Sequence, residues 1–301
     1  MSRSFPPDVV VIDTDALLHA RFGRGKKNPR LVQSKAYRLP ADTFSPSLVT
    51  PHLVNESGLA ESLRRMRGET GKWDKVSILL PDSWFRINIV ELPTVPEKPA
   101  EAMEVVRWSL KRTLPIPPEQ LRVNYTILSR DAGGAKVLVL SALEATLAAI
   151  EKVFTAAGLD VVLIEPLGLN IWNAITVRET EATGDRLFLY LRDTDFTTAV
   201  FRGPQPLFIR SRNLSADRTV EQEIRLSANY LRDTLSVDTF AQCYVAGGRE
   251  NAVHETLASE FNTQVRPVAL RDFVEDAPAD LQGDIERFGA ELTACTGVFT
   301  G

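Results

Sequence analysis

Runs of β-branched and aliphatic residues alternate along the chain with longer segments whose apolar positions recur every three or four residues, the mark of mixed strands and helices. VVVID, residues 9–13, is a β-branched run, LLHARF reads as its returning neighbour, and KAYRLP reads as a third short strand of an opening meander. In LAESLRRMR, Leu59, Leu63 and Met66 share one helical face, with Ser57 as the expected N-cap and Gly68 as the terminator. VSILL and FRINIVEL then read as paired strands joined by a PDSW turn, the second alternating Phe85, Ile87 and Ile89 with Arg86 and Asn88.

The Pro-rich stretch TVPEKP breaks this pattern. The helix after it carries Met103, Val106, Leu110 and Leu114 at helical spacing until Pro115 stops it. LRVNYTIL and AKVLVLSAL suit a hairpin whose turn contains Asp131, Gly133 and Gly134. ATLAAIEKVFTAAGL is a helix closed by Gly158, and it leads into the strand VVLIEP. Two helices and a hairpin between Pro93 and Leu159 therefore make a compact inserted module.

From residue 186 the opening theme restarts. RLFLYLRDTDFTTAVFRG followed by PLFIRSRNL repeats an apolar strand, an Asp-Thr-Asp and a returning strand, so the tripeptide occurs at 13–15 and again at 193–195. A helix with Val220, Ile224, Leu226, Leu231 and Leu235 mostly on one side comes next. The strand in AQCYVAGGREN then runs into Gly247 and Gly248, and VHETLASEF is a further helix. An apolar strand ending in a carboxylate is how several phosphate-binding folds begin, which makes Asp13 and Asp15 candidates for a nucleotide and metal site.

Composition narrows the field. A chain of 301 residues exceeds what one core usually serves, so two or more subdomains are expected. The net charge of -4 gives no reason to expect a nucleic-acid partner. Cys243 and Cys295 are far apart, and His19, His52 and His254 form no metal motif with them, so the thiols read as small buried hydrophobes of a reducing compartment and His19 as structural. MSRSFPPD has no apolar targeting region and no segment reaches the roughly 20 apolar residues of a spanning helix. The expectation is a cytoplasmic protein that reaches a membrane through a partner. The basic cluster RFGRGKKNPR, residues 21–30, reads as a solvated hairpin tip that also suits anionic lipid or an acidic partner. Trp84, Trp108 and Trp172 read as packing aromatics, Trp108 being the one expected to face a partner.

The segment from Val76 to Leu128 resembles the PilM family of type IV pilus assembly proteins, relatives of the cell-division protein FtsA. Its landmarks are a strand ending at Leu92-Pro93, a helix closing at Leu114-Pro115 and the strand through Asn124-Tyr125. AGLDVVLIEPLGLNIWNAI and YVAGGREN extend the resemblance over nearly the whole length. It implies an α/β chain with the actin-like, ribonuclease H-like fold of two halves and an inserted α+β lobe of the kind called 1C. The implied boundaries are 1–92 for the first part of the first half, 93–163 for the lobe and 164–301 for the second half, with 164–180 connecting back. The implied role is a scaffold peripheral to the inner membrane that binds the short cytoplasmic tail of a PilN-type membrane protein in a groove involving the lobe. Other pilus platform and motor proteins, and self-association, are implied as further contacts. Peptide capture of this kind mixes backbone hydrogen bonds with apolar pockets, and Phe85, Ile87, Val106 and Leu110 are the regional candidates for its walls.

The resemblance also sharpens the nucleotide question. The family's first phosphate loop is Asp-x-Gly, the carboxylate facing hydrated magnesium and the glycine leaving room for the phosphates. Asp13 matches, Asp15 stands in the glycine position, and the basic residue expected further on falls at Ala20. The second loop falls on 189–191 or 193–195, neither with a glycine, and only Gly247-Gly248 keeps the third element. Hydrolysis of ATP is therefore not expected, nor is ATP or magnesium as a resident cofactor. The alternatives are an active actin-fold ATPase and the cytoplasmic domain of a type II secretion protein of the GspL type, which shares the fold.

Overall fold

The computed structural model describes residues 5–45, 50, 52–111, 114–131, 133–179, 183–214, 219–235, 237, 239–248 and 250–300. The chain opens with β1 (Asp8–Ile12), β2 (Ala16–Gly23) and β3 (Arg30–Arg38), followed by α1 (Glu56–Thr70) and β4 (Lys75–Leu80). A single 3₁₀ turn, Asp82–Trp84, leads to β5 (Phe85–Leu92), α2 (Pro99–Leu110), β6 (Leu121–Asp131) and β7 (Gly134–Leu143). Next come α3 (Glu144–Ala156), β8 (Asp160–Pro166) and α4 (Leu167–Arg178). The remainder is β9 (Asp185–Leu191), β10 (Asp195–Arg202), β11 (Gln205–Asn213), α5 (Val220–Leu235), β12 (Gln242–Ala246), α6 (Glu250–Phe261), β13 (Val265–Pro267) and α7 (Gln282–Gly297).

Two five-stranded sheets have one topology. The first is ordered β3-β2-β1-β4-β8 and the second β11-β10-β9-β12-β13. In each, an antiparallel meander supplies three strands and two further strands join in parallel, Val10 lying opposite Ile78 in the first sheet and Phe188 opposite Tyr244 in the second. Parallel strands need covering on both faces, which is why β1 is buried at every position and β9 at all but its first. The repeated Asp-Thr-Asp of the sequence thus marks the same turn in two copies of one unit.

The inserted lobe has its own sheet, ordered β5-β7-β6. This corrects the expected pairing of Phe85–Leu92 with Lys75–Leu80: β4 is already flanked by β1 and β8, and residues 81–84 make a 3₁₀ turn that carries the chain away, so that Ile87 pairs with Leu140 of β7. The boundary expected at 92/93 accordingly falls after Trp84. At its other end the lobe stops at Leu143, because α3 places Leu147, Ile150 and Phe154 in one core with Leu59 and Leu63 of α1, and β8 returns to the first sheet. The lobe encloses a separate core of α2, β6 and β7 residues.

Two helix ends also differ from expectation. Asn55, not Ser57, caps α1 by accepting from the Gly58 amide at 2.8 Å. The helix passes Gly68 and ends at Gly71, where φ is +85°, since the Thr70 hydroxyl bonds the Met66 carbonyl and accepts from the Trp73 indole. In α5, Leu226 is exposed, whereas Val220, Ile224 and Leu231 are buried; the Leu235 side chain lies outside the described residues. Between the two large sheets, α4 and α7 cross in close contact. A Cβ on Gly297 would meet the Asn170 carbonyl oxygen at 1.9 Å, so only glycine permits that approach.

Candidate functional site

The repeated topology brings the turn after β1 and the turn after β9 face to face. Each is tied locally: the Thr14 amide donates to Asp13 Oδ1 at 2.5 Å, and the Arg192 amide donates to the Asp195 carbonyl at 2.9 Å. The gap between the turns is bridged by the Arg192 guanidinium, which donates to Asp13 of the first half and, at 3.2 Å, to Asp195 Oδ2 of its own half. Arg192 and Asp195 are buried, Asp13 half-buried and Asp15 exposed. Burial works against the charge on Arg192, but the field of Tyr190, Asp13 and Asp195 outweighs it and holds the guanidinium protonated.

A second bridge lies beside the first. Asp82, in the turn after β4, is fully buried; it accepts from the Thr197 hydroxyl of β10 at 2.7 Å and from the Gly168 amide at the start of α4, also at 2.7 Å. Burial pushes its carboxyl up to about 6, against the two hydrogen bonds that favour the anion. A Cβ at Gly168 would fall 2.1 Å from Asp82 Oδ2, so the carboxylate occupies space that only a glycine leaves. Burial also raises Asp195, and raises Glu291 of α7, which accepts from the Tyr190 hydroxyl at 2.9 Å. The inter-half cleft is therefore lined by four carboxylates, Asp13, Asp82, Asp195 and Glu291, around one guanidinium.

The residues named from sequence fall out as follows. Asp13 reaches the cleft, but its carboxylate is neutralised by the protein's own arginine, while Asp15 points to solvent and only its carbonyl is engaged, by the Leu39 amide. Gly247 has φ +105°, and a Cβ there would meet the Leu191 carbonyl oxygen at 1.8 Å, so close packing of two strand ends accounts for this glycine. Gly248 faces open space. Among the described residues no group of three or more His, Cys, Asp and Glu is placed to hold a metal. The first aspartate of the tripeptide is thus ion-paired within the protein and the second is exposed.

The proposed groove walls need correction. Val106 and Leu110 are fully buried in the lobe's core and Phe85 is buried beneath the lobe, since each sits on the inward face of its element; Ile87 is half-buried against the core of the first half. Trp108, on the opposite face of α2 from Val106, is 62% exposed. Trp84 packs on Phe44 and His52, and Trp172 stacks on Phe201 with ring centroids 3.7 Å apart. His19 is buried, paired with Asp8 at 2.8 Å and stacked on Trp73. The basic hairpin tip is tied down from the acidic segment before α7: Glu275 accepts from the Lys27 and Asn28 amides, and Arg30 pairs with Asp276 at 3.2 Å. Sequence reading missed Arg192, Asp82, Thr197 and Gly168. The available signals were an arginine directly before the second Asp-Thr-Asp and an aspartate one proline beyond an apolar strand, in PDSW.

No family model and no curated protein matches the sequence. Solved structures do match the fold. A chain of the PilM-PilN type IV pilus biogenesis complex aligns over 96% of both chains with a TM-score of 0.77 at 18% identity. A Bacteroides thetaiotaomicron protein of actin-like ATPase fold and unknown function aligns over 98% of this chain and 95% of its own, with a TM-score of 0.57 at 10% identity. The fold is actin-like. The cytoplasmic domain of EpsL, an inner membrane component of the Vibrio cholerae type II secretion system, shares it, over 98% of this chain and 94% of its own, with a TM-score of 0.53 at 11% identity. The actin-like halves are the two five-stranded sheets, and the cleft bridged by Arg192 lies between them.

Proposed function

We propose that this actin-like chain is a scaffold of a type IV pilus or related assembly machine, and that it binds the cytoplasmic tail of a PilN-type inner-membrane protein without turning over nucleotide. The observation that carries the reading is the agreement in fold, over 96% of both chains, with a chain of the PilM-PilN complex. No described helix is long and apolar enough to cross a membrane, so a partner's tail supplies the inner-membrane attachment in this reading. Trp108 replaces the buried candidates as the lobe residue offered to a partner, because a large exposed aromatic is the side chain that gains most from being covered. Contacts with other platform and motor proteins and self-association belong to the same proposal.

The absence of turnover is supported by the cleft itself. The Arg192 guanidinium satisfies Asp13, so a magnesium ion would have to displace an internal ion pair as well as tolerate Asp15. Fluorescence anisotropy with a labelled N-terminal tail peptide of a PilN-type protein tests the scaffold role: saturable binding that weakens in Trp108→Ala is the expected result, and no binding to the wild-type chain at high protein concentration sinks it. Calorimetric titration with Mg-ATP is expected to give no heat. A second reading, a cytoplasmic domain of a type II secretion component, is favoured by the likeness to EpsL; a membrane-spanning segment encoded beyond residue 301 would select it.

A further inference from the structure

On one face of the lobe's sheet, nearly every position is apolar. Val90 and Leu92 of β5, Val137, Val139 and Leu143 of β7 and Val123 of β6 all pack into the core beneath α2. Three positions break the pattern, and they are contiguous. Arg86 lies directly opposite Ser141 in the β5–β7 register, and Asn88 is the next residue of β5 on that face. Ser141 is 1% exposed and its hydroxyl has no hydrogen-bond partner among the described residues; the Asn88 amide nitrogen is likewise buried and unpartnered among them. Both are donors left unpaired, a state that costs roughly 1–3 kcal/mol per group and that native folds avoid.

Arg86 adds a charge to this notch. It is partly buried, and its one hydrogen bond to the described residues, at 3.1 Å, goes to the carbonyl of its neighbour Phe85. Among the described residues no carboxylate pairs with it. Burial lowers the pKa of its guanidinium, and the like charge of Arg212, on β11 of the second half, which packs alongside β5, lowers it further. Arg212 is exposed and makes no ion pair among the described residues. A guanidinium thus lies beside a buried hydroxyl and a buried amide on the strand of the lobe that contacts the second half, with one backbone carbonyl as its acceptor.

We propose that Arg86, Ser141, Asn88 and Arg212 form an oxyanion-binding site, the ligand being a carboxylate or phosphate group. Planar guanidinium donors favour such groups, and a bound anion removes the like-charge repulsion and fills the unpaired donors together. The proposal does not depend on the pilus reading. Because β5 is an edge strand of its sheet, the anion can arrive either free or on an extended peptide, and the test distinguishes the two.

Thermal unfolding and equilibrium titration are followed with sodium phosphate against sodium chloride at equal ionic strength, and with the blocked peptide Thr-Val-Glu-Val-Thr against its Gln counterpart. The expected result is a melting temperature raised by phosphate, by the Glu peptide or by both, with binding weakened about tenfold or more in Arg86→Gln and several-fold in Arg212→Gln. Response to phosphate alone identifies a free oxyanion; response to the Glu peptide identifies a peptide-borne carboxylate. Arg86→Met is expected to melt higher than wild type in phosphate-free buffer and to lose the anion-dependent increment, a combination that a merely structural arginine does not give. Ser141→Ala, a mild change expected to fold, checks the buried donor. No response to either anion in wild type, or an undiminished response in Arg86→Gln, overturns the proposal.

Discussion

Arg192 carries the most consequence of any single residue. Removing it leaves Asp13 facing the buried Asp195 with no cation between them, and an uncompensated buried charge costs about 3–5 kcal/mol. Arg192→Ala is therefore expected to lower the unfolding free energy from chemical denaturation by that amount, and Asp195→Asn in the same background to recover part of it; an unchanged free energy would show that the bridge does not stabilise the closed cleft. Asp82 gives a pH signature. Its folded carboxyl is raised to about 6 from an ordinary 3.8, so the folded state binds the proton more tightly than the unfolded chain. The cost of the buried anion is present above about pH 6 and gone below about pH 4, so stability rises as pH falls through that window. Asp195, Glu291 and Glu165, raised by burial, act in the same direction. Glu69, held at about 2 chiefly by hydrogen bonds from Lys35 and Arg65, acts oppositely, its contribution fading below about pH 4.5. Chemical denaturation across pH 4 to 7 should show the rise, and Asp82→Asn should flatten it.

Among the elements, the strands and helices were largely legible from spacing, but their partners were not. The alternation of Phe85, Ile87 and Ile89 identifies a strand, yet says nothing of which sheet takes it. The PDSW turn read as a hairpin because adjacent strands usually pair, whereas the parallel seat beside β4 is filled by β8, some eighty residues away in the chain. The helical spacing of Val106 and Leu110 likewise shows which face is apolar, not whether that face is covered; the lobe's own sheet covers it. The lobe is fastened to the first half by Arg122 of β6, which bonds Glu144 at 2.6 and 2.9 Å and Glu151 at 2.5 and 2.9 Å on α3. The cluster is partly exposed, so Arg122→Ala should cost only about 1 kcal/mol of global stability. Hydrogen exchange of the β6 amides should nevertheless speed up; unchanged exchange would mean that this cluster does not fix the lobe.

For the whole molecule, the duplication of Asp-Thr-Asp pointed to two halves and the two sheets bear it out in their matching order. The bridge across the cleft was not legible: Arg192 stands 179 residues from Asp13 in the chain, and a pairing over that separation leaves no local pattern to read. The crossing of α4 and α7 has a thermodynamic consequence of its own. These helices, with β1, β2, β9, β10 and β12, form a single apolar cluster drawn from both halves, while the lobe encloses another. Scanning calorimetry should accordingly record one cooperative heat-absorption peak for both halves together, with the lobe free to melt as a separate shoulder, since cooperativity follows cores and not sequence repeats. Each copy of the duplicated unit keeps apolar residues of its own beside this shared cluster, and the single peak is the expected sign that the shared cluster dominates.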